Sequence, residues 1–579
     1  MFDKQPKGLY WLSLANTGER FGYYTMLAVF LLFLQAKFGF DSTVSGQIYA
    51  GFLALVYFMP LIGGLIADRW SFSKCVVTGI FVMFTGYLIM AIPTSVRSDA
   101  SLAILIGALV LIATGTGLFK GNLQVMVGDL YNDPRYASKR DSAFSIFYMA
   151  INVGSLFAPW VATQMTNVAM EGANLVYNSD LPALCNHYLD WLAAGGGAFT
   201  ETFTQANMDQ LTALAQQCGI AGGMSMAEFA DLYITQLSTG YSYGFGVACI
   251  SLVVSFIIYM IGRPSFAHIL KSDKKGAAKD AKAAEAVKMS PKQVKERVVA
   301  LLLVFAVVIF FWMVFHQNGA TLTEFAKSCT SPEAGGFTRI GFNVWALLLI
   351  AVGVYALFAI FQSSKKTGKL IGAGVLAVCA FVLWMIYSQT ENPVTGIQPQ
   401  QYQQFNPFYV VALTPVSLAI FGALARKGKE PSAPRKIGYG MILAGVAYAV
   451  MMAGSFALSG THGAVSPNWL ISTYLLLTFA ELLLSPMGIS FVSKVAPPQL
   501  KGSMMGGWFA ATAIGNYLVS IPMLLWGKIP VWVLWAILIG ICLVSALFIF
   551  SIMKRLEAAT SDAPAPEVDK LETVEDDAI

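Results

Sequence analysis

The sequence predicts an all-α polytopic membrane protein with fourteen spanning helices. Of 579 residues, 56% are hydrophobic and 12% charged, against roughly 45–50% and 25% in soluble domains, so water is the wrong solvent for most of the molecule. Apolar stretches of about 20 residues recur almost from end to end, each long enough to cross the ~30 Å hydrocarbon core as a helix. The basic residues sit in short loops between those stretches, so the formal charge of +5 is no argument for nucleic-acid binding.

Hydropathy, punctuated by Gly, Pro and charge, places spans at 10–33, 46–67, 75–93, 102–127, 143–163, 241–262, 298–320, 341–361, 370–387, 406–424, 437–457, 469–492, 503–526 and 531–553. They must be helical, because lipid offers no partner to an open backbone amide. Asp3, Lys4 and Lys7 precede a full-length first span, which reads as a membrane helix rather than a removable signal. Lys and Arg concentrate in the loops after even-numbered spans, among them Lys139, Arg140, ten from Arg263 to Arg297, and Arg426 to Lys436. The positive-inside rule then puts both termini in the cytoplasm. The organisation read from this is 8–163 for spans one to five, an extracytoplasmic insert at 164–240, span six at 241–262 and a cytoplasmic linker at 263–297. Span seven follows at 298–320, then two extra helices within 341–387, a second bundle at 406–553 and a disordered acidic tail at 554–579.

The insert carries seven acids and helical-looking stretches at 181–194 and 204–217. Its Cys185 and Cys218 either form a disulfide on the oxidising side or are two unrelated thiols. The other cysteines show no metal-ligand spacing, and His187 and His462 read as isolated loop residues. No nucleophile–base pair occurs, so no enzymatic reaction is expected, and no cofactor.

Ionisable side chains inside spans are the informative ones, each costing roughly 2.5–3.5 kcal/mol to insert. They are Glu19 and Arg20 in the first span, Lys120 in the fourth, His316 in the seventh and Glu481 in the span at 469–492. Asn16, Glu19, Arg20 and Tyr23 share one helical stripe. If the spans converge, Arg20 and Lys120 suit a carboxylate and Glu481 an ammonium group, the two ends of a zwitterion. Tyr57, Asn122, Asn152, Gln317, Asn406 and Trp508 are candidates for hydrogen bonds and an aromatic wall. The alternative is that the charges simply pair to join helices, which hydrophobic residues would do at lower cost. Gly115-Thr116-Gly117-Leu118-Phe119-Lys120-Gly121 lacks the Lys-Ser/Thr ending of a phosphate loop and lies in an apolar span, where small residues let helices approach.

Glu19-Arg20-Phe21-Gly22-Tyr23-Tyr24 resembles the second half of the E-x-x-E-R-F-x-Y-Y motif of the proton-dependent oligopeptide transporter family, within the major facilitator superfamily. Gly64-Leu65-Ile66-Ala67-Asp68-Arg69 is similar to the superfamily's cytoplasmic gate motif, Gly117-Leu118-Phe119-Lys120 to the span-four lysine motif, and Phe147-Tyr148 through Asn152-Val153-Gly154 to the span-five signature. The fullest match runs from Glu481 through Ser485-Pro486, Lys494 to Pro497, and Met504-Met505-Gly506-Gly507-Trp508-Phe509. The resemblance covers roughly residues 8–160, 240–320 and 400–553.

It implies two six-helix bundles rocking about a central peptide site, in a multi-pass protein of the bacterial inner membrane that works as a monomer and imports di- and tripeptides. By the same resemblance Arg20 and Lys120 hold the peptide carboxylate, Glu481 and Asn406 its amino group and Asn152 its backbone. Tyr23, Tyr24, Tyr57 and Trp508 line side-chain pockets, and Asp68 and Arg69 belong to the gate. The sequence departs from the family pattern at Asn16, Leu27 and His316, where a glutamate, an arginine and an acid are usual. The last two normally pair in proton coupling, and their joint loss avoids a stranded charge. His316 either takes over coupling, with Glu19 and the proton as coupling ion, or is a neutral hydrogen-bonding replacement. Transport of nitrate, another small anion or a peptide-like drug, and a non-transporting sensor or scaffold, are the alternative functions.

Overall fold

The computed structural model describes residues 5–131, 135–136, 140–220, 222–270, 289–363, 365–458, 463–497 and 500–561. Within them fourteen helices are long and apolar enough to cross a membrane, one for each expected span. In chain order the helices begin α1 (Lys7–Phe38), α2 (Ser42–Arg69), α3 (Phe72–Ala91), α4 (Asp99–Asp129) and α5 (Arg140–Gly172), then α6 (Leu181–Ala193) and α7 (Gln205–Gln217) in the insert. Next come α8 (Met226–Leu270), α9 (Pro291–Phe315), α10 (Thr321–Ser328), α11 (Val344–Gln362), α12 (Lys366–Gln389) and α13 (Phe405–Arg426). The chain closes with α14 (Ala433–Ser455), α15 (Asn468–Val495), α16 (Lys501–Leu518), α17 (Ser520–Leu525), α18 (Val531–Ser551) and α19 (Met553–Ser561).

Helices α1 to α5 and α8 pack into one bundle, and α9 with α13 to α16 and α18 into another, each around its own apolar core. This is the architecture of the major facilitator fold. The bundles meet where α2 packs on α16 and α17 and where α5 packs on α13. The extra pair α11 and α12 pack on each other, and α11 leans on α13. Helix α12 buries only Gly372 and Cys379 and leaves Leu370, Phe381 and Trp384 exposed, as befits a helix facing lipid on most of its circumference.

Close helix approach follows from small residues. A Cβ on Gly63 would collide with the Gly117 carbonyl, and one on Gly117 would lie 2.6 Å from Met59, so α2 and α4 touch backbone to backbone. The Gly115-to-Gly121 stretch is therefore a packing surface inside α4, not a ligand loop.

Several boundaries differ from expectation. Helix α5 runs to Gly172 and α8 starts at Met226, so the ends of the 164–240 segment are extensions of the spans. Helix α9 begins at Pro291, capped by Ser290, within the expected 263–297 linker, whose residues 271–288 lie outside those described. The first residues of the expected tail form α19, while 562–579 lie outside the described residues, as does His462. His187 sits on α6 rather than in a loop.

The insert is clamped to the first bundle. Asn186 donates to the Ala36 carbonyl at 3.0 Å, and Arg97 donates to the Asn186 carbonyl at 2.9 Å and pairs with Asp190. Cys185 and Cys218 are both buried free thiols. Burial, with the Cys218 thiol nearby, pushes Cys185 up to about 12, and burial raises Cys218 as well, which lowers the thiolate fraction of both.

The seventh span is interrupted. Helix α9 ends at Phe315, and His316–Gly319 form a 3-10 turn before α10. Gly319 presses on the Tyr49 hydroxyl of α2, where any side chain would clash. Gln317, buried, donates to the Met313 carbonyl at 2.9 Å and the Val519 carbonyl at 3.3 Å, supplying the freed backbone oxygens with a partner.

Replacing Gly117 by Leu is expected to force α2 from α4 at a cost of about 1–3 kcal/mol. The check is the thermal unfolding midpoint of detergent-solubilised protein, which should fall by several degrees, while Gly107→Leu, facing open space, leaves it unchanged.

Candidate functional site

The intramembrane charges converge at the bundle interface. From the first bundle come Glu19, Arg20, Tyr23 and Tyr24 on α1, Tyr57 on α2, Lys120 on α4, and Tyr148 and Asn152 on α5; from the second come His316 after α9, Asn406 on α13, Glu481 on α15 and Asn516 on α16. Tyr57 lies within electrostatic reach of Tyr24, Arg20 and Glu481, Lys120 within reach of Arg20 and Glu19, and His316 within reach of Lys120. Tyr148 exposes 37% of its surface, and Tyr24, Tyr57, Lys120, His316 and Asn406 are half-buried, so these side chains border solvent-accessible space.

Arg20 does not stand free. Its Nε donates to Glu19 Oε2 and its Nη2 to Glu19 Oε1, both at 2.5 Å, in a bidentate pair with both residues buried. Its guanidinium also lies 4.6 Å from the centre of the Tyr23 ring. Asn16, on the same stripe, is buried, and Leu27 packs against the first core.

Lys120 has no ion pair among the described residues. Its Nζ sits 4.1 Å over the Tyr57 ring, a cation–π contact that leaves the ammonium donors open. Across the interface Glu481 likewise makes no ion pair among the described residues. Tyr148 donates to its Oε1 at 2.9 Å and Asn406 to its Oε2 at 3.1 Å, and Asn406 also donates to Thr478 at 3.0 Å. A carboxylate held by two neutral donors keeps its charge available to a cation.

Three expected site residues have other work. Asn122 donates to the Gly63 and Leu118 carbonyls at 3.2 and 2.8 Å, stitching α4 to α2. Gln317 serves the break already described. Trp508 is 3% exposed, packs against Phe305 with ring centres 6.4 Å apart and lies over Gly488, which makes it part of the second core. Asn152 donates to the Tyr148 carbonyl of its own helix at 2.9 Å, which leaves its amide oxygen as its open acceptor. Asp68 and Arg69 end α2, and their side chains lie outside those described.

His316 and Glu19 are not partners. Glu19 is spent on Arg20, whereas His316 Nδ1 meets Asn516 Oδ1 at 2.5 Å, and its ring stacks on Trp312 with centres 4.9 Å apart. Sequence reasoning assigned no role to Tyr148 or Asn516. Tyr148 is one helical turn before Asn152 and Asn516 two turns after Trp508, so face periodicity from those residues is the signal that points to both.

At the insert end the bundles are tied together. Gln35 of α1 bonds Glu324 of α10, Lys327 donates to Gln35 Oε1 at 2.7 Å and pairs with Glu324 at 3.5 Å, and Gln398 donates to Asn167 of α5 at 2.6 Å.

Comparisons with known proteins bear on the family and the fold. The profile of PTR2, the POT family, matches residues 73–171 and 362–531. A Bacillus subtilis (strain 168) protein named "Uncharacterized transporter YclF" is 28% identical over 542 residues, covering 91% of this chain and 90% of its own. Dipeptide and tripeptide permease A of Edwardsiella piscicida is 26% identical, covering 88% and 84%, and that of Escherichia coli (strain K12) 25% identical, covering 89% and 84%. Among solved structures, a peptide transporter POT in complex with sulfate superposes with a TM-score of 0.64 at 21% identity over 96% of both chains. A POT family transporter in complex with 5-aminolevulinic acid superposes at 0.59 and 19% identity, covering 96% of this chain and 98% of that one.

Glu19→Gln is expected to strand Arg20 in the interior and to destabilise the protein by about 3–5 kcal/mol, whereas Glu19→Gln combined with Arg20→Met recovers most of the loss. Thermal unfolding of both variants in detergent measures this.

Proposed function

We propose that this chain, which matches the POT family model over residues 73–171 and 362–531, is a secondary transporter of that family that imports di- and tripeptides across the bacterial cytoplasmic membrane, with both termini in the cytoplasm. The names of its dipeptide and tripeptide permease relatives support the substrate class. The observation that carries the reading is the opposed pair of unneutralised charges. Lys120 belongs to one bundle and Glu481 to the other, and neither has an ion pair among the described residues. A peptide zwitterion satisfies both at once, its carboxylate on Lys120 and its amino group on Glu481, with Tyr148 and Asn406 orienting the glutamate. Arg20, paired with Glu19, adds positive field toward the carboxylate. Tyr23, Tyr24 and Tyr57 border the peptide, and the Asn152 amide oxygen accepts from its backbone.

Transport follows by alternating access. The Gln35–Glu324–Lys327 cluster and the Gln398–Asn167 bond hold the insert side shut in the conformation seen. A ligand that bridges Lys120 and Glu481 joins the bundles at mid-height and so favours one arrangement over another. The proton enters as coupling ion at His316, the side chain whose ordinary pKa lies nearest physiological pH.

In proteoliposomes, dialanine uptake is expected to be saturable and to rise with an inward proton gradient. Glu481→Gln removes a charged hydrogen-bond partner worth about 1.5–3 kcal/mol, and dialanine binding should weaken roughly ten- to a hundredfold with folding intact. Binding retained by Glu481→Gln overturns the role of that residue; no uptake of any di- or tripeptide overturns the substrate.

A further inference from the structure

We propose that Asn516 is the positioning residue for His316 and that it confines proton exchange to the Nε2 atom of the imidazole. The proposal deepens the reading of His316 as the coupling group and rests on it for its functional consequence.

The geometry gives the ring one fixed edge and one fixed face. Asn516 Oδ1 lies 2.5 Å from His316 Nδ1. An amide oxygen only accepts, so Nδ1 must carry the hydrogen of that bond in the neutral ring and keep it in the charged one. The nitrogen whose protonation changes is then Nε2. Asn516 is fully buried, and its Nδ2 has no partner among the described residues, so His316 is what orients the amide. The face of the imidazole lies almost parallel to the Trp312 indole, 17° between planes at 4.9 Å, while Phe315 meets it edge-on at 5.4 Å. Burial of Trp312 in the second core denies the ring free rotation.

The groups that face His316 are few. Tyr57 of α2 approaches to 6.0 Å between ring centres, and Lys120 of α4 is the charge that acts on it. Glu481 of α15 is held by Tyr148 and Asn406, and Glu19 of α1 by Arg20. From α16 the contribution is Asn516, which is neutral at every pH. It therefore fixes the tautomer without adding a charge that would trap the proton, and a carboxylate in its place would trap it.

The test is nitrogen NMR on purified protein with 15N-labelled histidine, the signals of His316 among the four histidines being those lost in His316→Gln. It needs no transport. The expected result is an Nδ1 that stays protonated through the titration and an Nε2 that titrates; Asn516→Leu should abolish the tautomer preference and move the midpoint to lower pH, and Asn516→Asp should move it higher. A neutral ring protonated at Nε2 in the unmodified protein, or a tautomer unchanged in Asn516→Leu, overturns the proposal. The gradient dependence of dialanine uptake should shift in the same directions in the two Asn516 variants. If His316→Gln keeps the full gradient dependence, the coupling role of His316 is wrong even where the tautomer is as stated.

Discussion

Glu19 and Arg20 are neighbours in sequence and a bidentate pair in space, and that pairing sets the charge balance of the interior. In a medium that cannot solvate ions, every charge must be neutralised nearby or left where something else will neutralise it. With Arg20 spent on Glu19, Lys120 and Glu481 stand on opposite bundles of the interface, each without an ion pair among the described residues. The two are held differently. Lys120 rests on an aromatic face and Glu481 on two neutral donors, arrangements that cushion a charge without cancelling it. On the proposed function, a molecule carrying both charges completes the site.

The rest of the architecture keeps that site at the seam between two bundles. Backbone contact at Gly63 and Gly117 brings α2 and α4 together, which places Tyr57 under Lys120. The 3-10 turn at His316–Gly319 interrupts the seventh span at the height of the charges, and the short helix beyond it carries Glu324 and Lys327 to the insert-side closure. The element that bears His316 is thus continuous with the element that bonds to Gln35 of the first bundle at the insert end. The insert is fastened through Asn186 and Arg97 to the first bundle.

The fold was largely legible in the sequence because hydropathy and charge report burial in lipid directly. All fourteen spans were visible as apolar runs, and the two insert helices as helical-looking stretches. The candidate site was legible in part. Intramembrane Glu19, Arg20, Lys120, His316 and Glu481 stand out because each is costly, but Asn122, Gln317 and Trp508, candidates for hydrogen bonds and an aromatic wall, are used in packing. Polar side chains of that kind satisfy backbone carbonyls as readily as ligands, and composition does not say which.

What the sequence by itself determined is the solvent, the number of crossings, the family motifs and which helix face carries each charge. What the tertiary structure decided is who meets whom: Glu19 with Arg20 rather than His316, Tyr148 with Glu481, and Asn516 with His316. The physical reason is that helical periodicity fixes the direction of a side chain about its own axis and nothing more. Partners 200 or 333 residues apart in the chain are chosen by how two bundles pack, at separations where an ångström decides whether a charge is paired.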